Sequence, residues 1–206
     1  MDFDHRIIDL KAKPAEFVEK YKQVGSGTAM VPLLEHGGQY VIESTVVARY
    51  IARHVGGPEL YPRTADDLDR IERFLSRWND VETTYYDLLR ASSDAQVKER
   101  RALFVDRLAA VDELLGARAP FLLGEDFSFA ECIAAPWVQR FFVTLPYFRG
   151  IDFDDVLRAF DSLAAWMRAV RDRASCQESI CPEGEMLDAA KRYYVSYLSP
   201  GARGRL

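Results

Sequence analysis

The sequence predicts an α+β protein: a small mixed domain over residues 1–56, then an all-α helical bundle over residues 65–198. Three observations predict it. Two short apolar runs, Met30-Val31-Pro32-Leu33-Leu34 and Tyr40-Val41-Ile42, flank the turn signal His36-Gly37-Gly38, the pattern of a β-hairpin. Breakers crowd Gly56-Gly57-Pro58-Glu59-Leu60-Tyr61-Pro62 with the density of a domain linker. Beyond that linker, apolar residues recur at helical spacing almost to the end of the chain.

In the first domain, residues 6–10 read as a strand and residues 15–24 as a helix, with Gly25-Ser26-Gly27-Thr28 as a flexible link to the hairpin. Pro32 stands at the mouth of the first hairpin strand, where a cis bond before it removes no ladder hydrogen bond. The second strand runs into Glu43-Ser44 and then a helix from Thr45 to His54. Ser44 is placed to cap that helix, and a helix start with free N–H groups is a ready site for a carboxylate. An extended peptide pairing with the backbone of Val31, its carboxylate on Ser44, suits a thioredoxin-like domain that binds a small acidic peptide.

The second half begins with a helix over residues 66–91, with Leu68, Ile71, Phe74, Leu75, Trp78 and Val81 along one face. Ser92 and Ser93 interrupt it. Residues 97–115 repeat the pattern until Gly116 and Pro120 stop it. Ser128-x-x-Glu131 is a capping box that opens an apolar helix over residues 129–144. Further helices are predicted over 154–173 and 184–197, with an unstructured tail over 199–206.

Composition narrows the function. The chain has 206 residues, 49% of them hydrophobic and 29% charged, ordinary values for a globular protein. A formal net charge of -5 gives no footing for nucleic acid, which is held by neutralising phosphates. No apolar run approaches the ~20 residues that cross a bilayer. The acidic start Met1-Asp2-Phe3-Asp4 does not fit a secretory signal, which points to the cytoplasm. Cys132, Cys176 and Cys181 make no disulfide framework, and His5, His36 and His54 all lie far upstream of them, so no metal site is expected. Cys132, at an apolar helix position, reads as a small buried hydrophobe.

The ordered set of short motifs resembles the cytosolic glutathione transferases, and among them the omega-like branch. It comprises Val31-Pro32-Leu33-Leu34, Glu43-Ser44, Ala48-Arg49-Tyr50-Ile51, and Ile7 to Pro14 upstream. Downstream, Gly124 to Glu131 and Ala135-Pro136-Trp137-Val138-Gln139-Arg140 resemble that family's second-domain signature. The resemblance spans about Ile7 to Arg173. It implies glutathione as co-substrate, with thiol transfer or conjugation to a small apolar electrophile. Residue by residue, it implies that Glu43 and Ser44 hold the γ-glutamyl amine and carboxylate. The backbone of Val31 would pair with the cysteinyl unit, and Lys13 would meet the glycyl carboxylate. Pro32 would be cis and structural, and Tyr85, Trp137 and Arg140 would border an apolar second-substrate pocket.

The same resemblance leaves the catalytic residue unknown. The family's catalytic Cys, Ser or Tyr follows a first strand that has no counterpart ahead of Ile7, where a strand and helix would need roughly 20 residues. An upstream segment, a neighbouring chain or glutathione itself would have to supply the thiol chemistry. A non-catalytic binding or assembly subunit of the same fold is the alternative, as a homodimer or docked in a larger complex. Blander readings also stand. Glu43-Ser44 can be a strand end and a cap, Lys13 a solvated lysine, and Trp137 core packing.

Overall fold

The structure, a computed structural model, describes residues 3–55, 59–62 and 64–202. The chain divides into two compact units, Met1–Tyr61 and Pro62–Leu206. Of the expected linker, residues 56–58 lie outside the described residues.

The first unit is built from α1 (Ala15–Lys22), β1 (Leu33–His36), β2 (Gln39–Ile42) and α2 (Ser44–His54). The two strands pair antiparallel, Leu33 opposite Ile42 and His36 opposite Gln39. Gly37 and Gly38 take φ of 57° and 79°, the left-handed pair that a two-residue hairpin turn requires and that glycine adopts freely. Phe17, Tyr21 and Ala29 form the buried centre, with Ile8, Val18, Leu33 and Ile42 packed on it. Helices beside a short sheet make this a thioredoxin-like piece.

Residues 6–10 are not a strand. A strand needs a neighbour for its backbone groups, and the sheet among the described residues consists of β1 and β2 alone. Asp9 instead organises a turn: its carboxylate accepts from the Lys11 amide at 2.9 Å and its carbonyl from the Ala12 amide at 3.1 Å. Ile8 reaches the core while Ile7 is left 89% exposed.

The second unit is helical: α3 (Ala65–Leu89), α4 (Asp94–Leu115), α5 (Phe129–Arg149), α6 (Phe153–Leu157), α7 (Asp161–Asp172), α8 (Ala174–Glu178) and α9 (Glu183–Tyr193). Side-chain caps set four of the starts, among them Asp152, which accepts from the Asp154 amide ahead of α6. Thr64 accepts from the Asp67 amide, Ser93 from the Gln96 amide and Ser128 from the Ala130 amide. α3 packs on α4 and α5, and α7 closes against α4 and α5. Phe74 and Trp78 stack 5.6 Å apart, and Trp78 meets Trp166 at 5.5 Å. Among the described residues no helix is long and apolar enough to cross a membrane.

Three expectations need correction here. The helix read over 154–173 is two helices, α6 and α7, broken near Phe160. No Gly or Pro marks the break. A tertiary contact supports the new start, since Asp112 on α4 accepts from the Leu163 amide at 2.7 Å in the first turn of α7. α5 continues past Thr144 and through Pro146 to Arg149, where Gly150 ends it at φ 63°. The tail is ordered as far as it is described, because Ser199 donates to the Phe148 carbonyl and Gly201 packs on Gly150. A Cβ on Gly150 would lie 2.6 Å from the Gly201 backbone. Residues 203–206 of that tail lie outside the described residues.

Candidate functional site

In the first unit the chemistry gathers at the open end of the hairpin. Leu33 pairs with Ile42, so one step further along each strand lie Pro32 and Glu43, and beyond them Val31 and Ser44. The Val31–Pro32 bond is cis. Val31 is 44% exposed, and its backbone N–H and C=O make no hydrogen bond among the described residues. An extended ligand could therefore pair with it as a strand would.

Ser44 does not cap α2. The cap position belongs to Glu43, and no side chain caps the helix. The carbonyl of Glu43 accepts from the Val47 amide at 2.8 Å, which starts the ladder and leaves the amides of Ser44, Thr45 and Val46 ahead of it. The first turn holds no acidic residue. The result is an exposed, uncapped helix start with partial positive charge, suited to an anion.

Glu43 has φ 69°, alone in that region among the described non-glycine residues. Such a conformation costs roughly 1–3 kcal/mol for an ordinary side chain, persists only where the surrounding structure over-determines it, and clusters at functional sites. Its exposed carboxylate also lines a shallow polar hollow of about 490 Å³ with Tyr21, Gly25 and Ser26. An acid beside an uncapped helix start offers complementary charges to a ligand that carries both an ammonium and a carboxylate. Lys13 stands apart, half-buried just ahead of α1, and no described acid pairs with it.

In the second unit, α3, α5, α9 and the segment around α8 enclose a cavity of about 990 Å³. Tyr85 and Arg140 line it; Trp137 does not. Trp137 packs edge-on against Tyr85 and Tyr86, and the Arg140 guanidinium lies over its ring at 4.5 Å. It shapes the wall from behind.

The Tyr85 hydroxyl is engaged with Thr144 Oγ1 at 2.8 Å, and Thr144 in turn donates to the Arg140 carbonyl. Burial pushes Tyr85 up to about 12 and raises Tyr86 as well, so neither is a ready phenolate. The thiols are blunted in the same way. Burial lifts Cys132 to about 11 and raises Cys176, against the pull of Arg173 on each. Among the described residues no cluster of ligating side chains could hold a metal ion.

Sequence reasoning missed Glu82. Burial pushes its carboxyl up to about 7 despite the opposing pull of Arg140. The signal was present, since an acid at 82 shares a helix face with Trp78, Tyr85 and Tyr86. It also missed Gln139, whose amide clamps the Cys181 backbone both ways, Nε2 donating to the carbonyl at 2.6 Å and Oε1 accepting from the amide at 3.2 Å. That clamp fixes the segment closing the cavity.

Ser128 and Glu131 fix the start of α5. Glu131 is fully buried, and its carboxylate accepts four hydrogen bonds: from the Leu122 amide, the Ser128 amide and hydroxyl, and Trp166 Nε1. It joins the start of α5 to the preceding loop and to α7.

Comparison with known proteins agrees with this architecture. Residues 1–53 match the family model for the glutathione S-transferase N-terminal domain, and residues 94–169 the model for its C-terminal domain. A rice relative, Protein IN2-1 homolog B from Oryza sativa, is 27% identical over 168 residues, covering 79% of this chain. The chain spans 62% of that relative's length. Glutathione transferase Omega 3C from Trametes versicolor superposes with a TM-score of 0.74 at 20% identity, over 90% of this chain and 77% of that one. Rice GST1, solved in complex with glutathione, superposes with a TM-score of 0.74 at 21% identity, over 95% of this chain and 88% of that one. With both family models matched in order and the same fold in solved members, the chain belongs to the glutathione S-transferase family.

Proposed function

We propose that this chain binds glutathione at the open end of the hairpin and passes its thiol to a second substrate held by the helical bundle. In this reading residues 1–56 hold the tripeptide and residues 65–198 the co-substrate. The observation that carries it is the uncapped start of α2 beside Glu43 and the unpaired backbone of Val31. Glu43 takes the γ-glutamyl ammonium, the Ser44 end of α2 its carboxylate, the Val31 backbone the cysteinyl unit and Lys13 the glycyl carboxylate. The related rice structure was solved with glutathione bound, which supports the choice of ligand. The reaction is thiol transfer or conjugation of an omega-like kind, in the cytoplasm, by a homodimer or a subunit of a larger complex.

One observation favours a second reading, a glutathione-binding subunit without catalysis of its own. The three cysteines all lie in the helical unit, where burial disfavours the thiolate of Cys132 and Cys176. Calorimetric titration of reduced glutathione, followed by turnover assays with a disulfide and an aryl halide, separates the readings. Saturable heat that Ser44→Ala weakens tenfold or more, with turnover, supports the enzyme. The same heat without turnover supports the binding subunit, and no heat at millimolar glutathione refutes both.

A further inference from the structure

The cavity of the helical unit carries a charge arrangement that an apolar co-substrate does not use. Two of its lining residues are arginines, Arg140 on α5 and Arg171 on α7. Each guanidinium carbon lies over an aromatic ring, Arg140 over Trp137 at 4.5 Å and Arg171 over Phe142 at 4.1 Å. Among the described residues neither takes part in an ion pair. Stacking fixes a guanidinium in orientation while leaving its in-plane N–H donors open, the form in which arginine recognises carboxylates.

The two arginines are not equivalent. Arg171 is exposed, whereas Arg140 is half-buried between the tyrosine wall and the centre of α5. Glu82, an acid whose charge couples to Arg140, is pushed up to about 7 by burial, so at neutral pH it is only about half ionised and offsets that cation in part. The acids of the lining, Glu183 and Glu185, are exposed in the first turn of α9, where the helix start already accommodates them. Around the arginines the wall is aromatic and apolar, with Tyr86, Tyr194 and Met186.

We propose that this cavity takes an aromatic molecule bearing a carboxylate, with the acid on the Arg140 guanidinium and the ring against Tyr86, Tyr194 and Met186. Arg140 is then the residue that selects the second substrate. The inference rests on the reading of this cavity as the co-substrate site, and it narrows that substrate from an apolar electrophile to an aromatic acid.

The test is direct binding of three probes of one shape to the full chain, measured without glutathione: 2-naphthoate, 2-naphthylmethanol and 2-naphthylmethylamine. Omitting glutathione keeps failure here separate from failure of the tripeptide site, which its own titration reports. The expected result is naphthoate at least tenfold tighter than the alcohol. Arg140→Gln then loses that preference but binds the alcohol within about threefold of the parent, and Arg140→Lys restores part of it. Circular dichroism of each variant confirms that the helical unit is folded. Equal affinity for acid and alcohol, preference for the amine, a preference lost through Arg171→Gln and not through Arg140→Gln, or no binding of any probe overturns the proposal.

Discussion

Replacing Glu131 by Gln changes one heavy atom and strikes a fully buried carboxylate that accepts four hydrogen bonds. Its Oε1 accepts from two fixed donors, the Leu122 amide at 2.8 Å and Trp166 Nε1 at 3.0 Å. Its Oε2 accepts from one fixed donor, the Ser128 amide at 2.8 Å, and one rotatable donor, the Ser128 hydroxyl at 2.6 Å. A glutamine amide therefore turns its NH₂ toward Ser128, where the hydroxyl can reverse and accept but the amide cannot. One buried N–H loses its acceptor, at about 1–3 kcal/mol, and the remaining bonds fall from charge-assisted to neutral strength. Burying an amide in place of a carboxylate recovers part of this. The net expectation is a loss of about 2–4 kcal/mol. Urea unfolding followed by far-ultraviolet circular dichroism reads it, and a Tm scan should fall by roughly 2–4 °C per kcal/mol for a unit of this size. Ser128→Ala should cost about 1 kcal/mol, as a lost cap, and the two changes together less than their sum. A Glu131→Gln variant within 0.5 kcal/mol of the parent would refute the reasoning, since the carboxylate would then not be what ties α5 to its loop.

Two further substitutions test neighbouring parts of the account. Arg149 is 4% exposed and donates to the carbonyls of Leu88, Leu89, Ala91, Phe148 and Tyr197, so Arg149→Leu should cost about 3–5 kcal/mol by leaving buried carbonyls without donors; hydrogen exchange should locate the loosening at the end of α3 and in the tail, and unchanged protection there would contradict the assignment. For Glu82 the folded carboxyl titrates near 7 against 4.5 for the free group, so its protonated form stabilises the fold below about pH 4.5 and that contribution is lost as pH rises through 7. Glu82→Gln should match the parent at pH 4.5 and exceed it at pH 8 by about 1.5 kcal/mol, roughly half the full linkage value because solvent screens a half-buried group; a constant difference between the two proteins from pH 4.5 to 8 would contradict the assignment.

The features that could be read from the sequence were those whose cause is local. His36-Gly37-Gly38 marks a hairpin because two consecutive left-handed residues are needed and glycine supplies them. Ser128-x-x-Glu131 marks a helix start because its partners lie three residues apart. What escaped depends on neighbours distant in the chain. Residues 6–10 carry strand composition, but a strand exists only with something to pair with. The break before α7 depends on Asp112, about fifty residues earlier. Arg149 lies beyond the helix predicted over 129–144, and only packing brings the carbonyls at the end of α3 onto it.

The site was legible in the same measure. Glu43 and Ser44 stand at the helix start where the sequence places them, but their division of labour differs. The backbone turn falls on Glu43 and leaves the amides of α2 uncapped, a consequence of a φ angle that no residue pattern announces. Arg140 lines the cavity of the helical unit, whereas the neighbouring Trp137 does not and packs against the Arg140 guanidinium.

The central claim is that the free end of α2 holds an anion of glutathione. It is tested most directly by the backbone amide resonances of Ser44, Thr45, Val46 and Val31 in the ¹⁵N-labelled chain during a glutathione titration. Saturable shifts centred on those four amides, sharply reduced in Ser44→Ala, are expected. Shifts confined to the helical unit, or none at millimolar glutathione, would contradict it.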